Sequence, residues 1–217
     1  MHVSDRLVIG GEPMDLFESL PEVKKQKILQ VCIEEFAQYG FWDSSTNRII
    51  RNAGIAKGSL FKYFGSKEDL YYYILDHVAG EIFKELSTLM VNPPDELLSR
   101  LVYFAQIEMQ LHLRQPLYFK LFRRAQENDG TDISRSVREK YGAGAEDFAR
   151  EMLKDISAEN LRYGIENTID TVLWLLKGFN ESFLAELSEA NDIELIQQEY
   201  LTRLQVHLDI IRNGIYK

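Results

Sequence analysis

Cysteine, proline and glycine are scarce in this 217-residue chain, which has one cysteine, five prolines and 13 glycines. The single Cys32 excludes an internal disulfide and zinc sites built from cysteine pairs, and it favours a reducing compartment. The longest clearly apolar run, residues 172–176, is far shorter than the ~20 residues that span a membrane. The N-terminus also lacks the basic and apolar regions of a signal peptide. We therefore expect a cytoplasmic protein without a membrane partner.

Acidic residues outnumber basic ones by 34 to 25, and the resulting net charge of −9 argues against nucleic-acid binding. The distribution of charge argues the other way, because no acid occurs between Ser44 and Lys67. An acid-free stretch suits a surface that faces phosphates, although a solvated helix face explains the charges equally well. The basic residues of this stretch are Arg48, Arg51, Lys57, Lys62 and Lys67.

Apolar residues recur at helical spacing along most of the chain, which predicts an all-α protein. In the N-terminal part, Gly40, Gly54 and Gly65 stand where three helices are expected to end. Ser44 or Ser45 is a suitable N-cap for the second of these helices. A length of 217 residues allows one large domain or two modest ones.

The segment Ser45–Tyr63 has the pattern helix, glycine-containing turn, helix, which is typical of a helix-turn-helix unit. The second helix of such a unit lies in the DNA major groove, with its N-terminal residues at the base edges. Lysine and serine are suitable donors to guanine edges and phosphates, and a glycine lets the backbone approach closely. The residues placed there are Lys57, Gly58, Ser59 and Lys62.

The segment GFWDSSTNRIIRNAGIAKGSLFKYFGSKEDL closely resembles the DNA-binding segment of the TetR family of bacterial transcriptional regulators. The resemblance covers about residues 24–75 without a gap. It departs from the family at Phe61, where the family usually has a tyrosine that binds a phosphate, and at Ala56, where it often has a Ser or Thr cap. The ordered set that carries the resemblance is Gly40, residues 44–46, Ile49, residues 53–55, residues 57–61, Tyr63, Phe64 and residues 66–68.

The resemblance implies a set of DNA-contacting residues on the second, third and fourth helices. It implies that the Tyr63 hydroxyl donates to a phosphate and that Lys67, at the start of the fourth helix, binds another. The alternatives are that Phe61 and Tyr63 are core aromatics and that Lys67 is a solvated lysine. The implied residues are Ser45, Thr46, Asn47, Arg48, Lys57, Gly58, Ser59, Phe61, Lys62, Tyr63 and Lys67.

The family plan also predicts the domain organisation. We expect an N-terminal arm over residues 1–20, a three-helix helix-turn-helix DNA-binding domain over residues 21–68, and a helical ligand-binding and dimerisation domain over residues 69–217. Two long amphipathic helices, roughly 159–188 and 192–212, close the chain.

Apolar stripes on these last two helices suit a four-helix bundle with a second subunit, although they suit internal packing as well. The predicted dimer interface consists of Ile169, Val172, Leu176, Phe183, Tyr200, Leu204, Leu208 and Ile211.

Aromatic residues of the C-terminal part either line a ligand pocket or form a plain core. The predicted pocket residues are Phe104, Glu108, Tyr118, Phe122, Phe148, Trp174 and Phe179.

These observations predict a homodimeric DNA-binding regulator, a repressor that a small apolar or amphipathic ligand releases from a palindromic operator. The alternative is a helical ligand carrier or protein-interaction module without sequence-specific DNA binding. We expect no enzyme and no cofactor, because no catalytic triad pattern or phosphate loop occurs. Glu108 and His112 have the spacing of a metal pair, but a di-iron bundle needs a second Glu-x-x-His, so we expect no metal.

Overall fold

The elements of the protein are helices, as the sequence predicts. The computed structural model describes residues 13–127, 132–142, 148, 150–153, 155–157, 159, 161–186 and 193–215. The helices are α1 (Pro13–Glu18), α2 (Glu22–Asp43), α3 (Thr46–Ala53), α4 (Lys57–Phe64), α5 (Lys67–Leu89), α6 (Leu97–Arg114), α7 (Pro116–Glu127), α8 (Asp132–Val137), α9 (Ile165–Glu186) and α10 (Ile193–Ile215), with a π-helical turn at Arg138–Gly142.

The helices group into two units. The first contains the described residues up to Glu81 together with Pro116–Gly142, and the second contains Ile82–Gln115 with the described residues after Gly142. The first unit therefore includes α7 and α8 as well as α1–α4. The predicted division into a DNA-binding domain up to residue 68 and a ligand-binding and dimerisation domain from residue 69 remains a prediction.

The first unit is built around α2, which packs against α3 and along α7. The buried residues of α2 occur in pairs four positions apart, so that they form one apolar side. They include Ile28, Leu29, Cys32, Ile33, Phe36 and Ala37.

Regular helical backbone in α2 is interrupted at Gly40, as predicted for the end of this helix. Its φ of 66° and ψ of −170° lie in a region open essentially to glycine alone. The chain therefore changes direction here, between α2 and the helix-turn-helix segment.

The predicted arm over residues 1–20 is wrong for its last part, because residues 13–18 form α1 and α1 packs on α4. Phe17 is fully buried, and its ring lies 4.8 Å from that of Phe64 and 5.9 Å from that of Tyr63. At the end of α1, Glu18 accepts a hydrogen bond from the Tyr73 hydroxyl and pairs with Lys25. Residues 1–12 lie outside the described part of the chain.

The second unit has its own apolar core, formed by α6, α9, α10 and the segment around Leu153–Leu161. The two final helices begin at Ile165 and Ile193, so the penultimate helix is shorter than predicted at its start. α6 begins shortly after Pro93 and Pro94, and the Glu96 carboxylate caps it by accepting from the Leu98 and Ser99 N–H groups.

The predicted dimer interface is wrong for most of its residues. Six of the eight are buried within a single chain, since they form the core of the second unit, and the other two are half-buried against that core. A side chain that is covered inside one subunit has no surface left for a second subunit. The six core residues are Val172, Leu176, Phe183, Tyr200, Leu204 and Leu208.

Other apolar side chains of α9 and α10 face outward. Trp174 is 75% exposed and Ile210 is 69% exposed, and Leu195 and Val206 are also exposed. Phe179 on α9 contacts both Tyr200 and His207 on α10, while Phe183 contacts Tyr200, so the helices run antiparallel. This register puts Trp174 and Ile210 near the same level of the pair.

None of the described helices combines the length and apolar character that a membrane span requires. Among the same residues, His, Cys, Asp and Glu side chains form no group of three or more that is suited to a metal ion.

We predict that Phe17→Ala lowers the free energy of unfolding by about 3–4 kcal/mol, because it removes a fully buried ring from the contact between α1, α4 and α5. Urea unfolding followed by circular dichroism measures this change. Val23→Ala is the control, since Val23 is exposed and its truncation should change stability by less than about 0.5 kcal/mol. Equal stability of the two variants would show that α1 does not support the first unit.

Candidate nucleic-acid interface

α3 and α4 are joined by a tight turn, as the sequence predicts. Ser45 is the N-cap of α3, and its hydroxyl accepts from the Arg48 N–H at 3.4 Å. Gly54 ends α3 in the left-handed conformation, with φ 69° and ψ 36°, and its N–H donates to the carbonyls of Ile50 and Arg51. Ala56 precedes α4 without a side-chain cap, as expected from its methyl group.

α4 has one buried side and one exposed side. Leu60, Tyr63 and Phe64 are buried, and they hold the helix against the rest of the unit. The opposite side carries Lys57, Gly58, Phe61 and Lys62, all of which are exposed. This exposed side therefore consists of residues that were predicted to contact DNA, and Ser59 lies half-buried beside it.

Tyr63 occupies the buried side, with only 6% of its surface exposed. Its ring contacts those of Phe17 and Phe64. The Tyr63 ring is therefore part of the core, as the alternative interpretation expected. The hydrogen bond from its hydroxyl to a phosphate remains a prediction. The neighbouring Phe61 is exposed and open to a partner, in contrast to the core alternative.

A buried carboxylate orders the corner before α3. Glu35 on α2 is 5% exposed, and its Oε1 accepts from the Ser45 N–H at 2.6 Å. Arg48 donates to the same carboxylate through Nε, at 2.9 and 3.1 Å, and through Nη2, at 2.6 Å. Arg48 also donates to the carbonyl of Asp43 and lies 4.1 Å above the Tyr39 ring centroid. These bonds hold the first turn of α3 onto α2.

Lys67 contacts the other side of the same corner. Its Nζ donates to the carbonyl of Ser44 at 2.7 Å and to that of Trp42 at 3.2 Å, and it lies 4.9 Å from the Phe41 ring centroid. Partial burial lowers the pKa of this lysine. A lysine ammonium has three N–H donors, so one remains beyond the two carbonyls. Binding of a phosphate by Lys67 remains a prediction.

The five basic residues of the acid-free stretch thus occupy two different environments. Arg48 and Lys67 are held by internal partners, whereas Arg51, Lys57 and Lys62 are exposed. Of the other predicted residues, Asn47 is exposed, and Ser45 and Thr46 are half-buried at the start of α3.

Sequence reasoning missed two residues that hold this surface. Glu35 was detectable as a carboxylate within the apolar side of α2, since a buried charge requires a partner. Phe17 carried no comparable signal, because a helix of six residues is too short to show a helical period. Arg51 is a further exposed cation beside the predicted set.

The predicted pocket residues do not form one group. Phe104, Glu108, Phe148 and Phe179 belong to the second unit, and the ring of Phe104 contacts that of Phe148 at 5.8 Å. Tyr118 and Phe122 belong to the first unit, where Phe122 contacts Tyr141. Trp174 is wrong as a pocket residue, because its ring faces outward on α9.

Comparison with known proteins addresses the helix-turn-helix segment directly. Residues 28–74 match the sequence model of the family described as "Bacterial regulatory proteins, tetR family". The helix-turn-helix segment of this chain is therefore a TetR-family sequence. This match contains α3, α4 and the Glu35 corner, whereas α1 lies outside it.

Relatives of this chain are similar over limited segments. The HTH-type transcriptional regulator RutR of Escherichia coli K12 is 38% identical over 55 residues, which are 25% of this chain and 26% of RutR. The probable acrEF/envCD operon repressor of the same strain is 25% identical over 122 residues, covering 54% of this chain and 56% of the repressor. The chain thus matches about a quarter of the length of RutR.

The fold of the chain is similar to the folds of solved transcriptional regulators. A regulator from Chloroflexus aurantiacus aligns with a TM-score of 0.66 at 21% identity, covering 95% of this chain and all of that one. The regulator KstR2 of Mycobacterium tuberculosis aligns with a TM-score of 0.62 at 18% identity, covering 91% and 97%. This confirms the predicted fold, an N-terminal helix-turn-helix domain followed by a helical domain.

We predict that Arg48→Ala lowers the free energy of unfolding by about 3 kcal/mol, because it leaves the buried Glu35 carboxylate without its cation. Arg51→Ala removes the same type of charge from an exposed site and should change stability by less than about 0.5 kcal/mol. Chemical unfolding monitored by circular dichroism compares the two variants. If both are as stable as the wild type, the Glu35–Arg48 pair does not stabilise the corner.

Proposed function

We propose that this TetR-family transcriptional regulator is a homodimeric repressor that binds a palindromic operator through α3 and α4. In this proposal a small ligand bound in the second unit releases the DNA. The observation that carries the proposal is the exposed side of α4, where Lys57 and Lys62 flank Gly58 and Phe61 in a segment without acids.

Each feature of this side suits duplex DNA. Lys57 and Lys62 are able to donate to phosphates or to guanine edges, and no carboxylate within the segment competes for them. A Cβ placed on Gly58 would meet no atom within 4 Å, so the surface is open at the point where a groove wall would come close. Phe61 is able to contact a thymine methyl group.

The start of α3 provides a second contact for the backbone of DNA. Helix N-termini attract phosphates through their free N–H groups and the helix dipole. Thr46 and Asn47 lie in this first turn, and the Glu35 network fixes its direction. We propose that α3 and Lys67 bind phosphates while α4 reads bases.

The proposed dimerisation rests on the spacing of recognition helices along DNA and on the exposed apolar residues of α9 and α10. Two recognition helices separated by one turn of DNA, ~34–36 Å, require a two-fold dimer. Trp174, Val206 and Ile210 are exposed apolar side chains of these helices, and they suit contact with a second copy of the same helices. We propose these residues as the dimer interface, in place of the core residues predicted from the stripes.

Repression and ligand release rest on the family. One similar protein is named a probable operon repressor, and we propose the same direction of control for this chain. A ligand that favours a dimer with wrongly spaced recognition helices would shift the population away from the DNA-bound form. We propose the cytoplasm, where the DNA is, as the place of action.

DNA binding is tested with duplex fragments from upstream of the protein's own gene, in gel shifts over a range of salt concentrations. We predict salt-sensitive binding to a palindromic site. Lys57→Ala and Lys62→Ala should each reduce the slope of log K against log salt by ~0.9 if the lysine binds a phosphate. A lysine that reads a base should instead relax the base preference when it is removed.

Lys177→Ala is the matched control, since Lys177 is an exposed lysine on α9. It should leave both the slope and the base preference unchanged. Salt-insensitive binding, or binding without sequence preference, would contradict the proposal and favour a ligand carrier or protein-interaction module.

The dimer is tested with Ile210→Glu, which places a charge in the proposed apolar interface. We expect the dimer dissociation constant to rise by about 100-fold, or about 2.8 kcal/mol, as measured by sedimentation. Val91→Glu is the control, since Val91 is equally exposed but lies between α5 and α6. An unchanged dimer in Ile210→Glu would place the interface elsewhere.

A further inference from the structure

Polar side chains form a chain of hydrogen bonds inside the second unit. The Tyr200 hydroxyl on α10 donates to Oδ1 of Asn180 on α9 at 2.6 Å. The Asn180 Nδ2 donates in turn to Oε2 of Glu108 on α6 at 3.4 Å. Both donations point towards Glu108, so the carboxyl group is the terminal acceptor of the chain.

Glu108 has no cation beside it. None of the described lysine, arginine or histidine side chains forms an ion pair with it, and its Oε1 has no hydrogen-bond partner within the described ranges. Part of its surface is nevertheless accessible, since the side chain is only half-buried. The carboxyl group is therefore partly desolvated and still partly accessible to a partner.

Aromatic residues neighbour Glu108 and Asn180 along their own helices. Phe104 lies one helical turn before Glu108 on α6, and Phe179 precedes Asn180 on α9. The Phe179 ring contacts those of Phe183 and Tyr200. Phe104 and Phe179 are themselves half-buried, so part of each residue remains accessible.

We propose that Glu108 binds the amino group of the effector, and that the effector is an amphipathic amine. This inference rests on the proposed function, because it names the chemical class of the ligand that releases DNA. The ammonium group would pair with the carboxylate, and the apolar body would lie against Phe104 and Phe179. Asn180 and Tyr200 would orient the carboxylate by their hydrogen bonds.

Other head groups fit this arrangement less well. An anionic head would face a carboxyl group with no cation to balance the two charges. A neutral alcohol would satisfy one hydrogen bond but would leave the cation position empty. An ammonium group supplies a positive charge, and its N–H donors suit Oε1, which accepts no hydrogen bond from the described residues.

The ionised form of the Glu108 carboxyl group is also unfavourable for the stability of the free protein. Burial raises the pKa of Glu108, so the folded chain holds this proton more tightly than the unfolded chain does. The contribution of Glu108 to the free energy of unfolding is therefore highest in acid, and it falls as the pH rises through the pKa of Glu108 in the folded chain. The nearby titratable groups are Tyr200, joined through Asn180, and His112, one turn further along α6.

The proposal is tested with three probes that share one alkyl chain: dodecylamine, dodecanol and dodecanoate. Binding to the full chain is measured by isothermal titration below the micelle concentration of each probe. We expect dodecylamine to bind about tenfold or more tightly than dodecanol, and dodecanoate to bind most weakly. Equal binding of the three probes to the wild type would overturn the proposal.

E108Q tests the residue itself, since glutamine keeps the shape and removes the charge. The preference for dodecylamine over dodecanol should disappear in E108Q and persist in E181Q, which removes an exposed charge from α9. E108Q should also melt at a higher temperature than the wild type in mildly alkaline buffer, and this gain should shrink in mildly acidic buffer. A retained preference in E108Q would overturn the proposal.

A DNA-binding experiment distinguishes failure of this inference from failure of the proposed function. The wild type is added to its upstream DNA with and without dodecylamine in gel shifts. DNA binding that dodecylamine weakens, and dodecanol does not, supports both statements. DNA binding that responds equally to all three probes overturns the inference alone, whereas absence of DNA binding in the free protein overturns the proposed function.

Discussion

The carboxylate of Glu35 is the interaction on which the DNA-facing part of the molecule depends. It accepts from the Ser45 N–H and from Arg48, and it thereby ties the first turn of α3 to α2 immediately after the chain bends at Gly40. Because Gly54 then fixes the turn into α4, the direction of α3 also sets that of α4. One buried ion pair thus controls the placement of two helices.

The exposed side of α4 is available because its other side is covered. Leu60, Tyr63 and Phe64 are buried, and the small helix α1 adds the Phe17 ring to this cluster. Burial on one side of an eight-residue helix supplies the stability that its uncapped start at Ala56 does not. The same division lets Lys57 and Lys62 remain in solvent without any role in folding.

The second unit shows how far an apolar stripe can be interpreted. The stripes on α9 and α10 predicted buried positions correctly, but they were assigned to a second subunit when most of them form the core of one chain. Periodicity identifies the side of a helix that avoids water and does not identify what covers it. Trp174 and Ile210 are apolar residues on the exposed sides of these helices. The hydrogen bonds that join Tyr200, Asn180 and Glu108 place polar groups beside the apolar core.

The sequence by itself determined the helical fold, the turn at Gly54, a serine cap before α3, and the segment that matches the TetR family, because these features depend on neighbours within a few residues. Only the tertiary structure decided that Arg48 and Lys67 have internal partners, that α1 packs on α4, and that Glu108 lies beside Asn180. Each of these contacts joins residues that are distant in the chain or depends on which side of a helix is covered, and local spacing carries no information about either.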